Sequence, residues 1–393
     1  MRIDKVAIIE AECLLEDVQF WQEELVRPHD VYPDRFDRME GGQQTDDGFR
    51  FTTRFLELTS SDGVTGVAGP ITAEVAHAIL NGWSEILKGT KLFTPRRIWD
   101  EGYRRMPHGR LGQGMLVLSA VELAAWDLLG RARGLPVVEM VGGPTRASAP
   151  AYASMLGFTV TDLDAAAELA QEYKAKGFVG QKWFFRFGPS DGYDGLTRNL
   201  RLASALREAV GEGYPLMFDA WQSLDVNYAV RLSDALQEVN PLWLEEPLLP
   251  DQREGMRRLR RRTSIAIAGG EHLYTRWGFL PHLRKGLYAT IQPDLYWAGG
   301  FSETMRIAAL AQSFDMQVIA HAHSANATTH FTFAQSPAVA PMQEHLIRWN
   351  MVHQYLLAQP AAPKDGWFEA PNRPGFGMEL DLDRALSWRR VED

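Results

Sequence analysis

Three acidic residues stand at equal intervals along the chain, each closing a short apolar run: Asp219 in YPLMFDAW, Glu245 in PLWLEEP and Glu271 in IAIAGGEH. Both intervals are 26 residues, from 219 to 245 and from 245 to 271. One βα unit takes roughly that many residues, so each acid reads as the last residue of a successive parallel strand. In a parallel barrel such ends lie side by side on one face. Three carboxylates gathered there repel one another unless a cation holds them. A hard divalent ion, Mg²⁺ first, accepts oxygen ligands and leaves positions for substrate. The competing reading is three ordinary strand-end acids capping the helices that follow. One acid alone would favour it; three at one interval on consecutive units favour the metal.

The rest of the chain supports that architecture. From about residue 149 apolar runs alternate with amphipathic helical segments: APAYAS, LDAAAELAQEYKAKG, FVGQKWFF, LTRNLRLASALREAVG, and onward to QVIAHAH. The alternation predicts a parallel sheet with helical crossovers. Seven strands can be counted, with QEHLIRW near residue 343 as an eighth, so we expect a modified (β/α) TIM-like barrel over residues 133–358. No GxGxxG follows the first strand, which weakens a dinucleotide-binding alternative. Residues 1–132 read instead as an α+β capping domain: strand-like KVAIIEAECLL and FTTRFLELTSSDGVTGVAG, then helices ending in GMLVLSAVELAAWDLLGRARGLP. The polar loop at about 22–50 is long enough to be an active-site lid, the alternative being a surface insertion. Residues 359–393 lack barrel periodicity and are expected to return to the capping domain.

Composition bounds the partners. With 393 residues there is room for a barrel and a second domain. A formal net charge of −9 disfavours nucleic acid and anionic membrane, and the basic run RRLRRR (257–262) lies on a helix whose outer face would be solvated. No apolar stretch is long enough to span a bilayer. The single cysteine, Cys13, permits no internal disulfide, and MRIDKVAIIE lacks an h-region and cleavage site, so a cytoplasmic location is expected. The outer helices of such a barrel lead us to expect a homo-oligomer.

Two more strand ends complete a candidate site. Asp294 in TIQPDLYWAGG follows the sixth strand, and His321 in VIAHAHS ends the seventh. A carboxylate beside an imidazole orients it and raises its basicity, as a general base requires. His323 competes, because both histidines of AHAH point to one side of a strand; periodicity favours His321. Lys182, in QKWFF, could neutralise a substrate carboxylate or a metal ligand, or act as a base if desolvated. Glu344 could donate to an oxyanion if its pKa is raised, or be a plain surface acid. His272 could touch substrate or merely pack. Trp221 and the lid residues Arg27, His29, Tyr32 and Arg50 are further candidates for contact with a polar, anionic substrate. A metal with open positions, opposite such a base, suits removal of a proton α to a carboxylate and loss of a β-hydroxyl.

This arrangement resembles the enolase superfamily, and within it the mandelate racemase subgroup. The resemblance covers nearly the whole chain and is carried by AVELAAWDLLGRARGLPVVEMVGG, the Asp219–Glu245–Glu271 spacing, PDLYWAGG and the Asp294–His321 order. It implies Mg²⁺ held by the three acids and selects His321 over His323 as base. Members with two opposed bases carry Lys-x-Lys at the end of the second strand; here Lys182 matches the first lysine and Phe184 replaces the second. That disfavours a racemase and suits a one-base elimination; a racemase, epimerase or cycloisomerase on the same scaffold is the alternative. QKWFFRFGPSDGYDG, DAWQSLDVNYA and PDLYWAGG look like the L-rhamnonate dehydratase branch, which implies a lyase acting on an acid sugar, an aldonate, to give a 2-keto-3-deoxy acid. A catalytically silent barrel would have no need of the triad and the Asp–His pair together.

Overall fold

A computed structural model of the chain describes residues 2–23, 25–32, 41–91 and 94–392. Among these, no helix is long and apolar enough to cross a membrane. The N-terminal part is an antiparallel sheet. Strands β1 (Ile3–Glu16), β2 (Gln43–Thr45), β3 (Gly48–Ser60) and β4 (Thr65–Ala68) pair with β3 as the hub, bonded to β1, β2 and β4. The long helix Gln113–Arg133 covers this sheet with an almost wholly buried face. Gly66 permits the contact, since a Cβ there would lie 2.5 Å from Leu128 Cα. The same helix reaches the barrel: the Glu122 carboxylate accepts the N–H groups of Phe301 (2.8 Å) and Ser302 (3.1 Å) at the start of helix Gly300–Gln312.

The second sheet is parallel and built as expected, one strand per apolar run. In chain order it comprises β5 (Ser148–Ser154), β6 (Gln181–Phe184), β7 (Leu216–Asp219), β8 (Trp243–Glu245), β9 (Ile267–Gly269), β10 (Thr290–Ile291), β11 (Gln317–Val318) and β12 (Gln343–Leu346). From β5 to β11, neighbours in sequence are neighbours in the sheet, and β12 pairs with β5 rather than with β11 among the described residues. Inside, Tyr152, Met217, Trp243, Ala268 and Ile319 form a compact plug. Side chains alternate along a strand, so Asp219 and Glu245, two residues beyond Met217 and Trp243, point to the same interior just above that plug.

Three details differ from the sequence reading. The segment 22–50 carries a short 3₁₀ turn (Pro28–Val31) and β2 rather than loop alone, while residues 24 and 33–40 of the expected lid lie outside the described residues. Strands β10 and β11 stop before Asp294 and His321, which meet instead in an isolated parallel bridge. The C-terminal segment first lays β13 (Trp367–Glu369) antiparallel against β5, and only then adds β14 (Ser387–Glu392) to the edge of β1. In the helix Arg253–Arg260, Met256 and Leu259 are buried while Arg258 faces solvent, the division expected of an outer barrel helix.

Candidate active site

At the C-terminal mouth of the barrel, ligand oxygens of Asp219, Glu245 and Glu271 all lie within 4.8 Å of one another, and all three residues are buried. The first two arrive on strand ends. Glu271 sits two residues past β9, after a turn in which Gly270 adopts φ +117°, a left-handed conformation that favours glycine. Lys182 of β6 is buried among them. Its ammonium contacts Glu245 Oε1 and lies 3.1 Å from Asp219 Oδ2 and 3.0 Å from Glu344 Oε1. The second oxygen of Glu245 accepts the Trp243 indole N–H (2.8 Å) and the Gln292 amide (2.7 Å). Asp219 Oδ1 accepts the backbone N–H of Trp221 (2.8 Å).

Burial dominates the electrostatics of this cage. It pushes Asp219 up to about 6, Glu271 to about 7 and Glu245 to about 8, against the pull of the nearby cations, Lys182 for the first and last. One lysine does not offset so many desolvated carboxylates. A further cation would, and the donor set is all carboxylate oxygen, the chemistry of a hard ion such as Mg²⁺ rather than of a thiophilic one. The residues therefore fit the metal that the sequence suggested. A second acidic group, Glu246, Glu271 and His272, shares Glu271 with the first.

Beside the cage, His321 Nδ1 is 2.7 Å from Asp294 Oδ2, and its Nε2 faces Glu271 Oε2 at 3.8 Å. A carboxylate accepts only, so Nδ1 carries the proton and Nε2 is the ring's free lone pair when the imidazole is neutral. Burial opposes charge on the ring, but Glu271 and Asp294 outweigh it and hold the pKa up to about 10. Asp294 is fixed in turn: Oδ1 accepts the N–H groups of Tyr296 (2.7 Å) and Trp297 (3.2 Å), and Oδ2 also accepts that of His323 (3.3 Å). The Trp297 ring lies against His321 with centroids 4.9 Å apart.

These groups open into a cavity of about 650 Å³ between barrel and capping domain. Lys182, Asp219, Glu271, His321 and Trp221 reach its wall, and so does Phe184, whose ring stands 5.3 Å from the Lys182 ammonium. Glu245 and Glu344 lie beneath Lys182, and Asp294 lies behind His321. Several sequence candidates land elsewhere. Glu344 does not have the raised pKa that an oxyanion donor needs. Burial pushes it up, but Lys182 and His321 outweigh burial and hold it below the usual carboxylate value, and it accepts the Ala322 N–H at 3.1 Å. His272 is not on the cavity wall; its Nδ1 bonds Glu246 Oε2 at 2.8 Å, and that carboxylate overcomes burial to raise the ring to about 9. His29, Tyr32 and Arg50 are exposed and do not line the cavity, and neither does Arg27.

Other residues take their place. Arg54, four positions along β3 from Arg50, lines the cavity with its Nε 2.5 Å from Glu10 Oε2. The spacing would have placed the two arginines on one strand face, but nothing in the sequence says where along β3 the cavity begins. Glu246 was legible only as the second acid of LEEP. Trp349 and His353, from the helix Ile347–His353, complete the far wall.

Comparison with known proteins follows the same lines. Residues 50–142 match the mandelate racemase / muconate lactonizing enzyme N-terminal domain, and residues 164–385 match the enolase C-terminal domain-like family. An L-rhamnonate dehydratase of Saccharopolyspora erythraea is 35% identical over 342 residues, covering 85% of this chain and 84% of the relative. The crystal structure of rhamnonate dehydratase from Gibberella zeae complexed with Mg superposes with a TM-score of 0.83 at 26% identity, over 98% of this chain and 95% of that one. A racemase from Streptomyces coelicolor A3(2) with bound magnesium gives 0.79 at 28% identity, over 98% of each chain.

Proposed function

Because this chain belongs to the mandelate racemase / muconate lactonizing enzyme family of the enolase superfamily, we propose that it is a hydro-lyase that dehydrates an acid sugar. The substrate we assign is an aldonate of the L-rhamnonate type, and the product a 2-keto-3-deoxy acid. The observation that carries the reading is the His321–Asp294 pair, 2.7 Å apart, with Nε2 open beside the acid cage. The relative named L-rhamnonate dehydratase supports the substrate class.

The reaction breaks the C2–H and C3–O bonds. Asp219, Glu245 and Glu271 would hold Mg²⁺, which when bound supplies positive charge to the substrate carboxylate and so acidifies the adjacent C–H. His321 Nε2 takes the C2 proton, while Asp294 keeps the proton on Nδ1 and stabilises the imidazolium that forms. The same imidazolium then gives its proton to the departing 3-hydroxyl, which leaves as water. The resulting enol takes a proton at C3 and releases the one on its C2 hydroxyl to become the 2-keto acid. Lys182, buried against Glu245, Asp219 and Glu344, balances the negative charge under the cage. Phe184 lines the cavity and takes the sequence place of the second lysine of the two-base members, which favours elimination over racemisation. A library of aldonates and aldarates incubated with Mg²⁺ tests the reading. Keto-acid formation by the native chain, abolished in His321→Asn, is expected. Exchange of solvent deuterium into C2 of recovered substrate without keto acid would overturn it in favour of racemisation.

A further inference from the structure

We propose that Tyr296 and His323 are positioning residues that seat the Asp294–His321 pair on the capping domain at Gly69–Pro70, and that His323 Nε2 takes no proton from substrate. The kinetic part of this inference rests on the dehydratase reading; the tether itself does not.

The two loops that carry the pair both end on the same two capping residues. Asp294 and Tyr296 lie on the loop after β10. The Tyr296 hydroxyl accepts the Gly69 N–H at 2.7 Å and stands 3.0 Å from the Gly69 carbonyl, to which it donates. His321 and His323 lie on the loop after β11, and His323 Nε2 is 3.1 Å from the Pro70 carbonyl oxygen. A carbonyl only accepts, so that nitrogen carries the proton, and the lone pair of the neutral ring is left on Nδ1. The backbone N–H of His323 donates to Asp294 Oδ2, the same oxygen that His321 Nδ1 reaches. Its carbonyl is 2.7 Å from His353 Nδ1, and its ring packs against Tyr296 at 5.1 Å between centroids. Burial holds the His323 pKa below the ordinary imidazole value, in keeping with a neutral strut. Among the described residues, His321 makes no such bond to the capping domain. Its position follows from Asp294, and Asp294 is held by groups that Gly69 and Pro70 hold. A base displaced by about 1 Å can lose on the order of 100-fold in rate, so a tether of this kind would show in turnover.

The test uses the full chain loaded with Mg²⁺. Glutamine places an N–H donor close to where histidine places Nε2–H; leucine does not. With the aldonate that the native chain turns over, we expect His323→Gln to keep kcat within about threefold, and His323→Leu to lose about 10- to 100-fold in kcat with KM nearly unchanged. Two outcomes overturn the assignment: His323→Gln as inactive as His323→Leu, which would make the ring a reacting group, or His323→Leu at the native kcat. The tether is tested separately by amide hydrogen exchange. In Tyr296→Phe the Gly69 amide and the segments 292–298 and 320–324 should exchange faster together, with β7 and β8 unchanged. An unchanged Gly69 amide would refute the tether. If no aldonate is consumed by the native chain, the dehydratase reading fails, and exchange still decides the tether.

Discussion

The acid cage and the histidine dyad face one cavity but are held in different ways. Two of the three cage acids are the last residues of parallel strands, and their supports, Lys182, Trp243 and Gln292, are all barrel residues. Asp294 and His321 lie beyond strands that have already ended, and their supports run through Tyr296 and His323 to the capping domain. A strand end has its direction set by its own ladder, whereas a loop end needs an outside contact to have one direction. The barrel alone can therefore pre-order the acid cage, and the placement of His321 depends on the second domain. Changes in the barrel interior should act on metal affinity, and changes at the dyad on turnover.

The largest effect is expected where that division is sharpest. His321→Asn should lower kcat by about 10⁴-fold, the upper range for a general base, while Mg²⁺ affinity stays near native. Steady-state kinetics and calorimetric titration of Mg²⁺ check the two halves; a parallel loss of both would erase the distinction. Glu245→Gln should do the reverse, weakening Mg²⁺ by more than the 10- to 100-fold typical of groups that only support a ligand. Its kcat at saturating Mg²⁺ should fall much less than in His321→Asn.

How far the site could be read from the sequence follows the same division. The cage was legible because alternation along a strand is local. MF-D and WL-E put an acid two residues beyond a plug residue, and the equal spacing put the acids on neighbouring strands. The eight barrel runs and the two long strands β1 and β3 were legible for the same reason. The dyad's partners were legible as residues but not as contacts, since Tyr296 and Gly69 are 227 positions apart and no pattern links them. Glu344 shows the limit most clearly. Its strand was found, but its pKa depends on Lys182 at 3.0 Å, a residue 162 positions away by number, from 182 to 344. Arg50 reads as the candidate on β3, and Arg54, four residues on, is the arginine that lines the cavity. The strand was right, but the height of the cavity along it is a property of how two domains meet.

Lys182→Met should come next in size. It leaves the buried carboxylates of Asp219, Glu245 and Glu344 without their cation, and breaking a buried ion network in this way costs about 3 kcal/mol. Proton uptake by those acids would limit the loss. Thermal unfolding in EDTA should show the full destabilisation, and saturating Mg²⁺ should restore part of it, because the added ion replaces the missing charge. A variant as unstable with Mg²⁺ as without it would mean that Lys182 is needed for packing rather than for charge.

The mildest effect is on the pH dependence of stability, where cage and dyad separate by window rather than by size. For the cage, burial raises Asp219 from 3.8 to about 6, Glu271 from 4.5 to about 7 and Glu245 from 4.5 to about 8 in the metal-free protein. The folded state then holds protons that the unfolded chain has released, so stability is greatest below about pH 4 and falls as pH rises toward 8. For the dyad, His321 rises from 6.5 to about 10, so its contribution is full below pH 6.5 and is lost between 6.5 and 10. Both slopes have the same sign but different owners. Saturating Mg²⁺ requires the carboxylates unprotonated, so it should flatten the lower window. Asp294→Asn removes one of the two main carboxylate influences that raise His321, Glu271 being the larger, and should narrow the upper window while leaving the lower one in place. Melting temperatures from pH 4 to 10, with EDTA and with Mg²⁺, measure both. If Asp294→Asn altered the lower window as much as the upper, the two halves of the site would be one electrostatic unit, and their separate construction would have no energetic counterpart.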